Sequence, residues 1–235
     1  MTMKLKIRRS EERGYADHGW LRSRHTFSFA DYYDPAQMGF CSLRVINEDH
    51  IAPGAGFPTH PHRDMEIFSY IVSGVLEHRD SIGNRRQLMP GQIQLMRAGT
   101  GVTHSEFNPS PAEQVHLLQI WIQPRKSGLA PAYTEWVPSL ETQRSGKVLV
   151  ISPDGGEGSA LIEQDVRVYL VRLRDGETLV HDLAEGHGMW VQLVKGAIQT
   201  KAGRLEAGDA ASTEEDGLFE ASACGEVEAL LFDFA

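Results

Sequence analysis

Four residues carry the chemistry this sequence offers: His60 and His62 in GFPTHPHRDME, and His104 and Glu106 in AGTGVTHSEFN. Each pair has i, i+2 spacing, which on an extended strand sends both side chains to one face. Two such strands facing one another in a barrel bring together three imidazole nitrogens and one carboxylate oxygen. Neutral imidazole suits Fe, Cu, Ni, Zn and Mn ions, and a carboxylate lowers the net charge of a bound cation. Four protein ligands on an octahedral ion leave two open positions, enough for a chelating substrate or for a substrate oxygen beside dioxygen. A structural zinc site is closed and often thiolate-rich, and no cysteine stands near these histidines. Either pair alone is ordinary strand surface. Together, in glycine-punctuated segments, they point to one metal site made by His60, His62, His104 and Glu106. Glu66, in HxHxxxE, is the rival carboxylate, either a ligand in place of Glu106 or a partner that orients a histidine.

Strands must position these groups, and the sequence supplies them. CSLRVINED, EIFSYIVSG, GQIQLMRAG, VHLLQIWIQP, KVLVISP, VRVYLVRL, GMWVQLVKG and ALLFDFA are short apolar or alternating runs between glycines and prolines. Turn signals at this spacing indicate an all-β sandwich or barrel. Only Ser127–Leu140 and Ser159–Gln164 leave room for a short helix or an irregular connection. The run EIFSYIVSG through Gly91 is echoed in pattern by GMWVQLVKG through Gly208, which suggests two copies of one barrel unit joined near Pro124–Gly146. The expected division is 1–135, a metal-binding domain, and 136–235, a similar domain without a metal site. The second copy has GHGMW (Gly186–Trp190) where the first has its paired histidines, and AGDAASTEEDG contains none. His181 and His187 read as surface histidines.

The chain has 235 residues and a net charge of −9. An acidic chain repels a phosphate backbone, so no direct nucleic-acid binding is expected. The one basic run, KLKIRRSEERG, reads as a solvated strand edge. No apolar stretch has the length of a membrane span, and the start MTMKLKIRRS lacks the apolar core of a secretory signal. A cytoplasmic monomer without membrane contact is expected. Cys41 and Cys224 form no CxxC pair, and a bridge between them is left open.

Several other residues call for a reading. His25, Phe27 and Phe29 alternate and read as core packing. Tyr32 and Tyr33 suit either a pocket mouth or a packed turn. His116 and Gln119 have opposite parity, so at most one points inward. His78 reads as solvated.

Gly54 to Glu66, with Gly74 following, resembles the first cupin motif, and Gly91 to Asn108 resembles the second. Arg97 stands where that motif has proline, and two extra residues separate Gly99 from His104. That departure, HSE itself, and RSRHTFSFADYYDP (Arg22–Pro35) are similar to the pirin subgroup of cupins, and the resemblance covers nearly the whole chain. It implies a bicupin, two double-stranded β-helix (jelly-roll) barrels. It also implies one divalent transition-metal cation, Fe first, with Cu, Mn, Co, Ni or Zn as alternatives, on His60, His62, His104 and Glu106. The implied activity is that of a quercetin 2,3-dioxygenase. Glu106 would take the proton of a flavonol hydroxyl, dioxygen would open the ring, and carbon monoxide would leave. The other role implied for pirins is a non-catalytic redox sensor that binds a protein partner.

Overall fold

The computed structural model describes residues 3–140, 142–143 and 146–235. Each of the eight apolar runs lies in a β-strand. Among the described residues there is no α-helix. The 3-10 turns Ser10–Glu12 and Gly156–Gly158 are the helical elements, and Ala132–Trp136 is a strand. The all-β bicupin architecture is the one found, and both cysteines are free. No described helix is long and apolar enough to cross a membrane.

Two compact units divide the chain. One comprises Arg13–Val137 and Ala160–Gln164; the other comprises Met1–Glu12, Pro138–Ser159 and Asp165–Ala235. The segment Ala160–Gln164 is tied to the first unit by Glu66, whose carboxylate accepts the backbone N–H groups of Glu163 at 2.7 Å and Gln164 at 2.9 Å. The N-terminal strand Lys6–Arg8 lies at a sheet edge in the second unit, paired with Ala210–Thr213.

The first unit has two sheets. Seven strands run in the order Ala132–Trp136, Ile93–Arg97, Glu66–Ser73, Val115–Ile122, Leu43–Ile51, Leu21–His25, Gly14–Asp17. Four more run Gly56–His62, Val102–Phe107, Leu76–Asp80, Arg85–Leu88. Pairing is antiparallel throughout. Residues of one parity on the larger sheet form two apolar clusters. Leu21, Ile51, Ile71, Val115 and Leu117 pack with Leu76 and Leu88 of the smaller sheet. Ile67, Met96 and Ala98 pack with Val102.

Between these clusters the same face carries a rung of polar side chains. His25 stands opposite Asn47, Asn47 opposite Gln119, Gln119 opposite Ser69, and Ser69 opposite Gln94. All five are buried. Polar groups taken out of water destabilise a fold unless they find partners, so this rung must face something that bonds to it.

The second unit is built around the long strands Gly188–Thr200 and Gly217–Phe234, which pair along most of their length. Its interior is apolar, with Met189, Val191, Leu193, Ala229 and Leu231 alternating inward.

Candidate metal centre and cavity

His60 and His104 are direct cross-strand partners, and His62 is opposite Val102. The register shifts between His104 and Glu106. Gly56 permits this close approach, because a Cβ there would overlap the Glu106 carbonyl oxygen and the Phe107 Cα. The result is a convergence of ring nitrogens. His62 Nε2 lies 3.0 Å from His104 Nε2, which lies 3.1 Å from His60 Nε2.

Three observations say what this convergence suits. His60 Nδ1–H donates to the Pro58 carbonyl at 2.8 Å, which leaves the His60 Nε2 lone pair aimed into the cluster. Burial holds His62 and His104 down to about 4, so both rings are neutral at pH 7; the charge of neighbouring histidines adds to this at each. Two nitrogens about 2.1 Å from one cation and at right angles to each other stand about 3.0 Å apart, against about 3.4 Å at the tetrahedral angle. The observed spacings fit the right-angle arrangement. A single proton cannot satisfy three facing lone pairs, whereas one cation does.

Glu106 is buried and held from the opposing sheet by the polar rung. Its Oε1 accepts from Ser69 Oγ at 3.1 Å and Gln94 Nε2 at 3.0 Å, and its Oε2 accepts from Gln119 Nε2 at 2.6 Å. Apart from a separate group of Glu48, His50 and His116, the metal-capable side chains form two overlapping groups among the described residues. One is His60, His62 and His104; another is His78, His104 and Glu106. His104 belongs to both. Glu66 joins neither, being occupied by the backbone of 163 and 164.

Two sequence expectations are corrected. His78 is not solvated. It is fully buried opposite Glu106, with Nε2 3.1 Å from Asp80 Oδ2, because its parity on Leu76–Asp80 matches that of Glu106 and points inward. His181 is not at the surface either. It accepts at Nδ1 from Lys147 Nζ (3.1 Å) and donates from Nε2 to Asp233 (3.0 Å), whose other oxygen takes His187 Nδ1–H at 2.7 Å. The parity expectation for His116 and Gln119 holds: Gln119 reaches Glu106, while His116 bonds Glu48.

A cavity of about 720 Å³ opens beside the histidines, and its wall includes His60, His62, Gln119 and Trp121. That volume is in the range of small-molecule sites. Its sides are aromatic: Trp20 meets Phe57 edge-on at 5.2 Å, and Trp121 meets both Phe29 at 5.4 Å and His62 at 4.9 Å. His104 and Glu106 lie outside this lining. His25 is buried as expected, yet it is part of this wall, with Tyr32 stacked against it at 6.4 Å; Tyr33 is exposed. The sequence reading missed Ser69, Gln94, Asn47 and Asp49. The available signal was a polar residue in the inward phase of an otherwise apolar strand, as in EIFSYIVS, IQLMR and LRVINEDHI.

Comparison with known proteins agrees with this picture. Residues 6–122 match the Pirin family, and residues 149–234 match the quercetinase C-terminal cupin domain. A quercetin 2,3-dioxygenase of Escherichia coli K12 is 46% identical over 231 residues, 97% of each chain. A pirin-like protein of Caulobacter vibrioides is 40% identical over 224 residues, 94% of this chain and 96% of that one. The crystal structure of the bacterial pirin YhhW from E. coli in complex with nickel(II) superposes with a TM-score of 0.94 at 44% identity, covering 98% of this chain and 99% of that one.

Proposed function

The chain belongs to the pirin family of cupins, and from that premise we propose that it is a metal-dependent dioxygenase opening the ring of quercetin-like flavonols with dioxygen. The observation that carries this reading is the set of three converging imidazole nitrogens, two of them on rings, His60 and His62, that line an aromatic cavity. The metal-holding part is placed in 1–135, with His60, His62, His104 and Glu106 as ligands; 136–235 serves as a barrel without a metal. A relative named quercetin 2,3-dioxygenase and the nickel(II) complex of the bacterial pirin YhhW support a divalent ion.

Held by those residues, that ion would supply Lewis acidity toward substrate oxygens. The protein supplies the rest. Trp20, Phe29, Phe57 and Trp121 offer flat apolar faces to an aromatic ligand and exclude water. Glu106, oriented by three donors, takes the proton of the reacting hydroxyl. The products are a depside ester and carbon monoxide. The cavity is open and substrate-sized, which favours an enzyme over a sensor with a sealed metal.

The test is oxygen uptake with quercetin by protein loaded separately with Fe(II), Cu(II), Mn(II), Co(II), Ni(II) and Zn(II). Metal-dependent uptake with carbon monoxide release, absent in His60→Ala, supports the proposal. No uptake with any ion, despite stoichiometric binding by the wild type, sinks it.

A further inference from the structure

The polar rung is longer than Glu106 needs. Ser69, Gln94 and Gln119 bond that carboxylate, but the rung continues over two more strands to Asn47 and His25. These two lie on the cavity wall, as do Ser23 and Asp49, which face each other two residues further along the same two strands. Neighbouring strands are about 4.8 Å apart, so this patch begins one strand, and ends about two strands, from Gln119.

Its bonding is incomplete. Ser23 Oγ donates to Asp49 Oδ1, and His25 Nδ1–H donates to Asn47 Oδ1 at 2.8 Å. Asp49 Oδ2 and Asn47 Nδ2 have no protein partner among the described residues, although Asp49 is only 2% exposed and Asn47 only 3%. An acceptor and a donor are therefore fixed in place by their neighbours on residues that line the cavity. A ligand hydroxyl would satisfy both at once, its O–H donating to Asp49 and its oxygen accepting from Asn47.

We infer that Ser23, Asn47 and Asp49 form a subsite for a neutral hydroxyl group on the part of an aromatic substrate remote from the histidine cluster. This rests on the dioxygenase reading and adds to it a substrate class: a hydroxylated aromatic whose remote end is uncharged. A carboxylate or sulfate there would face Asp49, with Glu48 and Glu106 acting on the same position, and no lysine or arginine is part of the cavity lining. Burial pushes the Asp49 carboxyl up to about 7, and the nearby carboxylates add to that shift.

Calorimetric titration of nickel-loaded protein under argon tests this without turnover. The ligands are quercetin and 3-hydroxyflavone, which keeps the reacting enol and ketone but lacks every other hydroxyl. Wild-type protein should bind quercetin at least tenfold more tightly, since a site built to bond a hydroxyl rejects the analogue lacking it. Asp49→Leu and, independently, Asn47→Leu should bring the ratio below threefold with nickel stoichiometry unchanged. No preference in the wild type, or a preference unaltered in both variants, overturns the subsite and leaves the dioxygenase reading standing. Failure of nickel-loaded wild type to bind either flavonol overturns both.

Discussion

Gln119 Nε2 donates to Glu106 Oε2 at 2.6 Å across the interior of the first unit, joining the middle strand of one sheet to the strand that carries His104 in the other. Both side chains are buried, Glu106 the more deeply. Gln119→Leu keeps the shape of the side chain but leaves Oε2 without its donor. An unsatisfied buried acceptor costs about 1–3 kcal/mol, and losing a group that orients a metal-site carboxylate costs about 10–100-fold in metal affinity. The expected outcome is a folded protein with a lower Tm and a metal Kd raised within that range. Competition against a chromophoric chelator measures it. An unchanged Kd would show that the Gln119 bond does not tune the metal site.

Asp49 predicts a pH effect on stability. Burial, with the Glu106 and Glu48 charges behind it, raises its carboxyl from 3.8 to about 7. Between those values the folded protein holds a proton that the unfolded chain has released, so stability falls as pH rises. Asp49's contribution is most favourable below pH 3.8 and is lost as pH passes 7. Asp49→Asn keeps an oxygen for Ser23 to bond and cannot ionise. It should therefore be more stable than the wild type at pH 8, by an upper bound of about 4 kcal/mol, with the gain shrinking toward pH 4. Urea unfolding at pH 4.5, 6 and 8 reads this directly. An equal difference at all three values would mean that Asp49 ionises normally.

How much of this was legible follows from parity. A period of two fixes which side chains share a face, so the pairs His60/His62 and His104/Glu106 could be read, as could the opposition of His116 and Gln119. The same rule applied to LEHRD turns His78 inward with Leu76, which reading it as solvated missed. Cross-strand register could not be read. That Asn47, Gln119, Ser69 and Gln94 line up depends on pairing offsets across separate strands, and a single-residue slip would reverse every face. The buried place of His181 was hidden for a similar reason. Its partners Lys147 and Asp233 lie 34 and 52 residues away in the chain.

Gly14 packs directly against the Tyr32 ring. A Cβ there would fall within the Tyr32 ring, and that ring stacks on His25 at the cavity wall. Gly14→Ala must therefore push Tyr32 aside. The expected result is weaker flavonol binding, by about tenfold or less for one displaced aromatic contact, with metal affinity unchanged because the histidines lie on other strands. Titration calorimetry with quercetin, beside the metal competition assay, separates the two. A loss of metal affinity equal to the loss of flavonol affinity would place Tyr32 in the support of the metal site instead.

The histidine cluster should make the metal-free protein the less stable form. In it, His62, His104 and His60 face one another at 3.0 and 3.1 Å through Nε2 atoms, and the His60 proton is committed to Pro58. A ligand that binds only the folded state stabilises it in proportion to the logarithm of its concentration over Kd, about 2.7 kcal/mol at a hundredfold excess over Kd. Nickel or iron(II) added to chelator-treated protein should raise Tm progressively. His104→Ala should abolish the rise, because His104 is the one residue common to both ligand groups. His60→Ala should weaken it while leaving the Glu106 side of the cluster in place. The metal-free Tm of the two variants gives the second half of the argument. Relief of crowding offsets part of the cost of deleting a ring, and the offset is larger at His104, which contacts both neighbours, than at His60. Scanning calorimetry with and without metal reads both effects. A metal-induced rise that survives His104→Ala would place the ion elsewhere in the protein.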